Sequence, residues 1–165
     1  MHYFAYGSNM SLQRLRARVP SAQPLGTYRL QAHELRFHKV GRDGSGKCDA
    51  FHTSDPEHIV MGVLFDIDQF EKAHLDQVEG VGAGYAEKQV YLLGTRGPEV
   101  VAFTYVATRI DCFLKPFTWY KHHVLTGARE SLLPGEYIRA IERVESVRDR
   151  DKVREAAEYA IHASI

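Results

Sequence analysis

The run at residues 59–67 (IVMGVLFDI) is the most apolar segment of the chain, and it predicts a buried β-strand. Asp68 follows it directly and predicts the start of a helix, because Glu71 completes a D-x-x-E pattern typical of a capping box. We expect this helix to end at Gly80, since glycine is common just beyond the last helical turn. A buried strand that passes directly into a helix predicts a core built from both kinds of element.

The first two thirds of the chain carry strand-like patterns. Further strands are predicted at residues 3–5, 26–40, 85–93 and 100–107. Within residues 26–40 the alternation changes phase near His33 and Glu34, which indicates a bulge or a bend. The glycine-containing segments at residues 41–47 and 94–98 are interpreted as a loop and a turn between strands.

Helical patterns dominate the last third of the chain. Helices are predicted at about residues 11–18 and 116–129, from Pro134, and from about Asp149. The last of them carries one apolar stripe, which consists of Val153, Ala157, Ala160 and Ile161. This order predicts an α+β fold class, with antiparallel strands first and helices inserted and appended.

The composition is that of one ordinary globular domain spanning residues 1–165. The 21 basic and 21 acidic residues cancel, which argues against nucleic acid or an anionic membrane as a partner. No apolar run approaches the roughly 20 residues that span a bilayer, and the start of the chain lacks the features of a signal peptide. Cys48 and Cys112 form no CxxC motif and are typical of free thiols in a reducing compartment, so we expect a cytoplasmic protein.

Residues 6–9 (YGSN) join the first predicted strand to a helix. Gly7 allows the backbone to turn tightly and to approach a ligand, and the amide groups of the turn then point at one place. Such a turn can bind a carboxylate or a developing oxyanion. The spacing alone favours a simpler interpretation, in which Ser8, Asn9 or Ser11 caps the helix.

Glu79 is predicted at the C-terminal end of the helix that starts at Asp68. A carboxylate there faces the negative end of the helix dipole, which disfavours its charge and suits it to act as a general base. The simpler alternative is an exposed glutamate at a frayed helix end.

Tyr120 is predicted on the first turns of a helix, where its phenol can donate to a ligand carboxylate or can pack beside Trp119. His122 and His123 are adjacent and point about 100° apart on a helix, so they are poorly placed to share a metal ion. The sequence also lacks an H-E-x-x-H motif and a Cys/His cluster. We therefore expect neither a metal site nor a cofactor.

Several segments, in this order, resemble the γ-glutamylcyclotransferase family, including its γ-glutamylamine and AIG2-like relatives. They are Y-F-A-Y-G-S-N at residues 3–9, P-S-A at 20–22, G-V-L-F-D at 62–66, L-D-Q-V-E-G-V at 75–81, G-Y at 84–85, W-Y-K at 119–121, T-G-A-R-E at 126–130 and L-P-x-x-Y at 133–137. The resemblance covers almost the whole chain, and its most specific feature is the N-terminal Y-G-S-N paired with a downstream E-G-V. The spacing is more similar to the γ-glutamylcyclotransferases proper than to the shorter γ-glutamylamine branch.

The resemblance implies a small closed mixed β-barrel flanked by helices, with a helical C-terminal segment. It also implies a ligand cavity where the Y-G-S turn meets the glutamate. On this sequence it assigns proton transfer to Glu79. The implied substrate-binding residues are Tyr3, Phe4, Ala5, Tyr6, Gly7, Ser8 and Tyr120.

The implied reaction closes a γ-glutamyl amide on its own α-amine and releases 5-oxoproline and a free amine, a step of glutathione metabolism. The partner is then a small molecule, and the sequence leaves a homodimer and other oligomeric states open. The leaving group stays open as well, because a γ-glutamylamine or a γ-glutamyl-capped biosynthetic intermediate would use the same Glu79. A ligand-binding module without turnover is a further alternative, which the presence of Glu79 disfavours.

Overall fold

Strand β5 (Ile59–Asp66) is the apolar run predicted from the sequence, and its residues 60–65 are all buried. It lies between β1 (His2–Ala5) and β2 (Gln23–Gln31) and pairs antiparallel with both. Gly62 allows the close approach of β1, because a Cβ at this position would lie 2.3 Å from the carbonyl oxygen of Ala5. The strand that dominates the sequence pattern is therefore also the one around which the sheet is built.

The computed structural model describes residues 1–94 and 98–163. In this part of the chain, β1, β5, β2, β6 (Tyr85–Gly94) and β7 (Val100–Ala107) form a closed barrel in that order. The β1 and β7 strands pair in parallel and the other neighbours pair antiparallel, so the barrel is mixed. The predicted α+β fold with a closed mixed barrel is confirmed, whereas the turn predicted at residues 94–98 falls largely outside the described residues.

A two-stranded ribbon accompanies the barrel. The predicted bend near His33 is a break between β2 and β3 (His33–Val40), with Ala32 in a left-handed conformation at φ 57°. Strand β3 pairs with β4 (Gly46–His52), which the sequence analysis did not identify because, apart from Phe51, its residues are small or polar. The predicted loop at residues 41–47 is therefore too long, since β4 already begins at Gly46.

Helices cover the barrel and extend the chain. They are α1 (Leu12–Arg16), α2 (Lys72–Glu79), α3 (Thr118–Glu130), α4 (Gly135–Arg143) and α5 (Lys152–Ala160). Asp68 caps the short 3-10 turn before α2 by accepting from the Phe70 amide at 2.9 Å. The capping box is closed through Ser21, whose hydroxyl donates to Glu71 and accepts from the Asp68 amide.

The predictions for the last helix are wrong in two respects. Asp149 precedes α5 and is buried, and its carboxylate accepts from the Trp119 indole at 2.8 Å and from the Arg154 guanidinium at 2.6 and 2.7 Å. The residue that caps α5 is Asp151, which accepts from the Arg154 amide. The predicted apolar stripe faces away from the core, since Val153 is 82% exposed.

Helix α5 packs on α3 through polar side chains. The Glu158 carboxylate lies 2.6 Å from the Arg14 guanidinium and 2.7 Å from Nε2 of His123, which is fully buried. Nδ1 of His123 lies 2.6 Å from Nε2 of His162. Ion pairing thus replaces the apolar contact that the sequence pattern suggested.

Within the described residues, no helix is long and apolar enough to cross a membrane.

We predict that Gly127→Ala destabilises the protein although alanine is the better helix former. A Cβ at Gly127 would lie 2.4 Å from the Ser11 amide nitrogen, so α3 would have to move away from the turn at residues 8–10. The free energy of unfolding, measured with urea, should fall by about 1–3 kcal/mol or more. Gly135→Ala is the matched control, since a Cβ there meets only the end of the Arg139 side chain at 3.2 Å, and it should be neutral or stabilising. Equal effects of the two substitutions would contradict the packing argument.

We predict that the stability of the folded chain falls between pH 6.5 and pH 4. Burial lowers the pKa of His123 from 6.5 to about 4, so in this window the unfolded chain binds a proton that the folded protein does not. The contribution of neutral His123 to the free energy of unfolding is fully present above pH 6.5 and is lost as the pH approaches 4. The melting temperature of His123→Gln should therefore depend less steeply on pH than that of the wild type. His74→Gln, at an exposed position, should keep the wild-type slope, and identical slopes in all three proteins would refute the assignment.

Candidate active site

The backbone that follows Glu79 fixes the position of this residue at the end of α2. Gly80 adopts a left-handed conformation with φ 77°, and the amides of Gly80 and Val81 both donate to the carbonyl oxygen of Asp76, at 2.9 and 3.0 Å. The Glu79 side chain is only 16% exposed. The alternative of an exposed glutamate at a frayed helix end is therefore wrong.

The amide of Asn9 connects Glu79 to the barrel. Its Nδ2 donates to Oε1 of Glu79 at 2.9 Å and to the phenol oxygen of Tyr3 at 3.0 Å. Arg18 donates to Oδ1 of Asn9 at 2.9 Å and to Oε1 of Glu79 at 3.2 Å. Among the described residues, Oε2 of Glu79 makes no hydrogen bond. The carboxylate is thus held through one oxygen while the other stays available.

These contacts correct the interpretation of residues 6–9 as a simple helix cap. Ser8, Asn9 and Met10 form a 3-10 turn, and Ser11 precedes α1 without a capping side-chain hydrogen bond. The Asn9 side chain instead bridges Tyr3 and Glu79.

An inner cavity of about 30 Å³ lies beside Glu79, at one end of the barrel. Polar groups line most of it. The lining residues are Tyr3, Tyr6, Gly7, Ser8, Asn9, Cys48, Glu79, Tyr85, Thr104, Tyr105 and Tyr120. An outer cavity of about 200 Å³ borders it at Ser8, Glu79, Tyr85 and Tyr120. Glu79 therefore faces both spaces.

The backbone of Cys48 anchors two of the tyrosines. A register shift in the ribbon leaves Cys48 without a partner in the β3–β4 ladder, which frees its amide and carbonyl. The amide donates to the phenol oxygen of Tyr120 at 3.0 Å, and the carbonyl accepts from the Tyr85 phenol at 2.5 Å. Gly7 makes room for this arrangement, because a Cβ there would lie 3.0 Å from Cβ of Cys48 and 3.4 Å from the Tyr120 oxygen.

Neutral phenols surround the carboxylate. Burial raises the pKa of Tyr3, and the negative charge of Glu79 raises it further. Burial also raises the pKa of each of the other tyrosines that line the inner cavity, namely Tyr6, Tyr85, Tyr105 and Tyr120. The site therefore offers hydroxyl groups that keep their protons at neutral pH.

The structure brings most of the predicted site residues together. Glu79 and the predicted binding residues Tyr3, Tyr6, Gly7, Ser8 and Tyr120 all line the inner cavity. Phe4 and Ala5 are fully buried and do not line it, and the carbonyl of Phe4 accepts from the Thr104 hydroxyl at 2.7 Å. A part for Phe4 and Ala5 in substrate binding stays a prediction.

The sequence analysis missed both the residues that hold the carboxylate and some of the tyrosines that line the cavity. Arg18 and the side-chain roles of Asn9, Tyr85 and Tyr105 were not identified. Asn9 could have been found from its place in the Y-G-S-N motif, whereas Arg18 is one arginine among many and carries no local signal.

In the described part of the chain, no group of three or more His, Cys, Asp or Glu side chains is arranged to hold a metal ion. His123 and His162 are in contact, but the other nitrogen of His123 lies against Arg14 and Glu158.

Comparison with known proteins identifies the family. The model of the AIG2-like family matches residues 59–141, about half of the chain. The curated γ-glutamylcyclotransferases of Bos taurus and Homo sapiens are 31% and 32% identical to this chain, and each alignment covers 96% of the chain and 86% of the relative. The chain belongs to the γ-glutamylcyclotransferase family. A solved structure of a γ-glutamyl cyclotransferase has a TM-score of 0.87 at 30% identity, over 99% of this chain and 98% of the other.

We predict that one cysteine of this γ-glutamylcyclotransferase relative is protected in the folded state. Burial raises the pKa of the Cys48 thiol to about 12, while Cys112 is exposed. A thiol-specific chromogenic reagent should label one thiol per native chain and both after unfolding. Cys112→Ser should abolish the native reaction, and rapid labelling of that variant would show that Cys48 is accessible.

Proposed function

We propose that this chain catalyses the intramolecular cyclisation of a γ-glutamyl amide to 5-oxoproline, with release of the free amine. The observation that carries the proposal is the Glu79 carboxylate, which faces the inner cavity with one oxygen held by Asn9 and Arg18 and the other unbonded among the described residues. Membership of the γ-glutamylcyclotransferase family supports the reaction type.

In the proposed reaction Glu79 moves one proton. The substrate's α-ammonium group gives a proton to the free oxygen of the carboxylate, and the resulting amine attacks the γ-carbonyl carbon. The bond between that carbon and the amide nitrogen then breaks, while the glutamic acid returns its proton to the leaving nitrogen. The ring nitrogen, which carries two hydrogens after the attack, gives one of them to the released amine, so the products are 5-oxoproline and an ammonium ion. General acid–base catalysis of this kind contributes typically 10²–10⁴-fold.

Asn9 and Arg18 act as positioning residues in this scheme. Their hydrogen bonds to Oε1 orient the carboxylate, and the guanidinium stabilises its negative charge opposite the unfavourable helix end. The carboxylate therefore approaches the substrate amine in one fixed orientation.

The polar wall of the inner cavity suits the oxyanion that forms during attack. The amide groups at the start of the 3-10 turn, at Ser8 and Asn9, have no acceptor within that turn. The phenols of Tyr3 and Tyr120, whose oxygens accept from Asn9 and Cys48, line the same space and keep a proton to donate. A preorganised donor of this kind is commonly worth roughly 3–4 kcal/mol in the transition state. Holding the α-amine against the γ-carbonyl lowers the activation barrier further, because both reacting groups belong to one molecule and are kept in a reactive orientation.

The direct test is release of 5-oxoproline by the purified chain from γ-glutamyl-alanine, γ-glutamyl-lysine and glutathione. Turnover of γ-glutamyl-alanine supports the proposal. Turnover of γ-glutamyl-lysine alone would favour a γ-glutamylamine branch that uses the same carboxylate. Binding of these compounds without 5-oxoproline release would instead favour a ligand-binding module.

We predict that Glu79→Gln retains the fold and ligand affinity but loses turnover. Glutamine keeps the shape of the side chain but cannot accept the ammonium proton, so kcat should fall by about 10⁴-fold or more. The helix end does not depend on the carboxylate, since Gly80 and Val81 bond to Asp76 through the backbone.

Thermal unfolding, γ-glutamyl ligand affinity and 5-oxoproline release are measured on this one variant. Glu57→Gln, which changes an exposed carboxylate in a loop, is the control and should match the wild type. Activity of Glu79→Gln within a few-fold of the wild type would remove Glu79 from the mechanism.

A further inference from the structure

The outer cavity is where the leaving group of a γ-glutamyl substrate would lie. It borders the inner cavity at Glu79, so the atom that receives the proton from this carboxylate would face it. Its volume of about 200 Å³ far exceeds the 30 Å³ of the inner cavity. The side chains of this space therefore decide which amines can leave.

Positive charge dominates the lining of the outer cavity. Its charged residues, within the described part of the chain, are the cations Arg14, Arg18, Lys39, Arg42 and Lys47 and the anions Asp43 and Glu79.

Three of these cations have a partner. Arg18 pairs with Glu79 at 3.2 Å, Lys47 with Asp43 at 2.7 Å, and Arg14 with Glu158 at 2.6 Å.

Lys39 and Arg42 remain without an ion pair to any described residue. Lys39 lies near the end of β3 and is only 6% exposed, and its Nζ lies 4.4 Å from the centre of the Tyr85 ring. Burial lowers the pKa of Lys39, and the aromatic ring compensates only part of the cost of a buried ammonium group. Arg42 lies in the turn of the ribbon and is exposed. A bound anion would supply the partner that both side chains lack.

The backbone of the glycine-rich loop after Glu79 lies directly beside both cations. A Cβ at Gly84 would lie 3.0 Å from Nζ of Lys39, and a Cβ at Gly80 would lie 3.0 Å from a terminal nitrogen of Arg42. Both glycines have positive φ, at 77° for Gly80 and 146° for Gly84, which other residues rarely adopt. At Gly80 and Gly84, therefore, no side chain of the loop stands between its backbone and the two charges.

We propose that Lys39 and Arg42 select γ-glutamyl substrates whose leaving group carries two negative charges, as in an acidic amino acid. Lys39 is the deeper cation and contacts Tyr85, which lines both cavities, so it receives the carboxylate next to the scissile amide. Arg42 at the rim receives the carboxylate at the end of the side chain. This specificity rests on the proposed cyclisation.

Three nearly isosteric substrates test the charge selection. They are γ-glutamyl-glutaminamide, γ-glutamyl-glutamine and γ-glutamyl-glutamate, whose leaving groups carry no, one and two carboxylates. We expect kcat/KM to rise about 10-fold to 100-fold with the first carboxylate, because it meets a buried ammonium group. The second carboxylate should add about 2-fold to 5-fold, since it meets an exposed guanidinium, and this step should shrink with added salt.

Variants assign each step to a residue. Lys39→Met should remove the increase in kcat/KM from γ-glutamyl-glutaminamide to γ-glutamyl-glutamine. Arg42→Gln should remove the increase from γ-glutamyl-glutamine to γ-glutamyl-glutamate. Each increase is measured as the ratio of the two kcat/KM values on the same variant. Arg150→Gln deletes an exposed cation that does not line the cavity, and it should keep both ratios. If Lys39→Met fails to fold, Arg42→Gln at the exposed rim still tests the second charge.

Equal kcat/KM for the three substrates, with 5-oxoproline released from each, would overturn the charge selection and leave the cyclisation intact. Unchanged ratios in Lys39→Met or in Arg42→Gln would overturn the assignment of that residue. No 5-oxoproline from any substrate would defeat both the cyclisation and the selection that rests on it.

Discussion

The side-chain amide of Asn9 is the interaction on which the geometry of the site depends. It uses two donor bonds and one acceptor bond to join Tyr3 of β1, Glu79 at the end of α2 and Arg18 beyond α1. Aspartate lacks the two donors and serine lacks the reach, so no close substitute makes all three bonds. The carboxylate is consequently oriented only when the barrel strand and both helices are in place.

The same dependence extends to the tyrosines of the inner cavity. Tyr85 belongs to a barrel strand and Tyr120 to α3, yet both bond to the backbone of Cys48 in the ribbon. A bulge that takes Cys48 out of strand pairing thus connects three separate parts of the fold. Because the bonded groups are buried, losing one of them would leave an unsatisfied polar atom at a cost of about 1–3 kcal/mol.

The sequence predicted the elements whose signals are local. The apolar run of β5, the glycine that ends α2 and the strand patterns of β6 and β7 all lie where expected. Strand β4 was missed because G-K-C-D-A-F-H shows no apolar alternation, and α5 was misjudged because its buried contacts are charged. Arg18 and Lys39 acquire their surroundings from residues distant in the chain, which no local pattern reveals.

The ribbon of β3 and β4 forms a sheet of its own, outside the hydrogen-bonded barrel. Its residues Lys39, Arg42 and Lys47 face the outer cavity, whereas Glu79 and Asn9 belong to the helix end and the turn at the barrel. In the proposed reaction, proton transfer is thereby assigned to one structural unit and leaving-group selection to another. If the proposal holds, substitutions in the ribbon would change which amines can leave without altering the groups proposed to transfer the proton, so substrate range could evolve separately from the reaction.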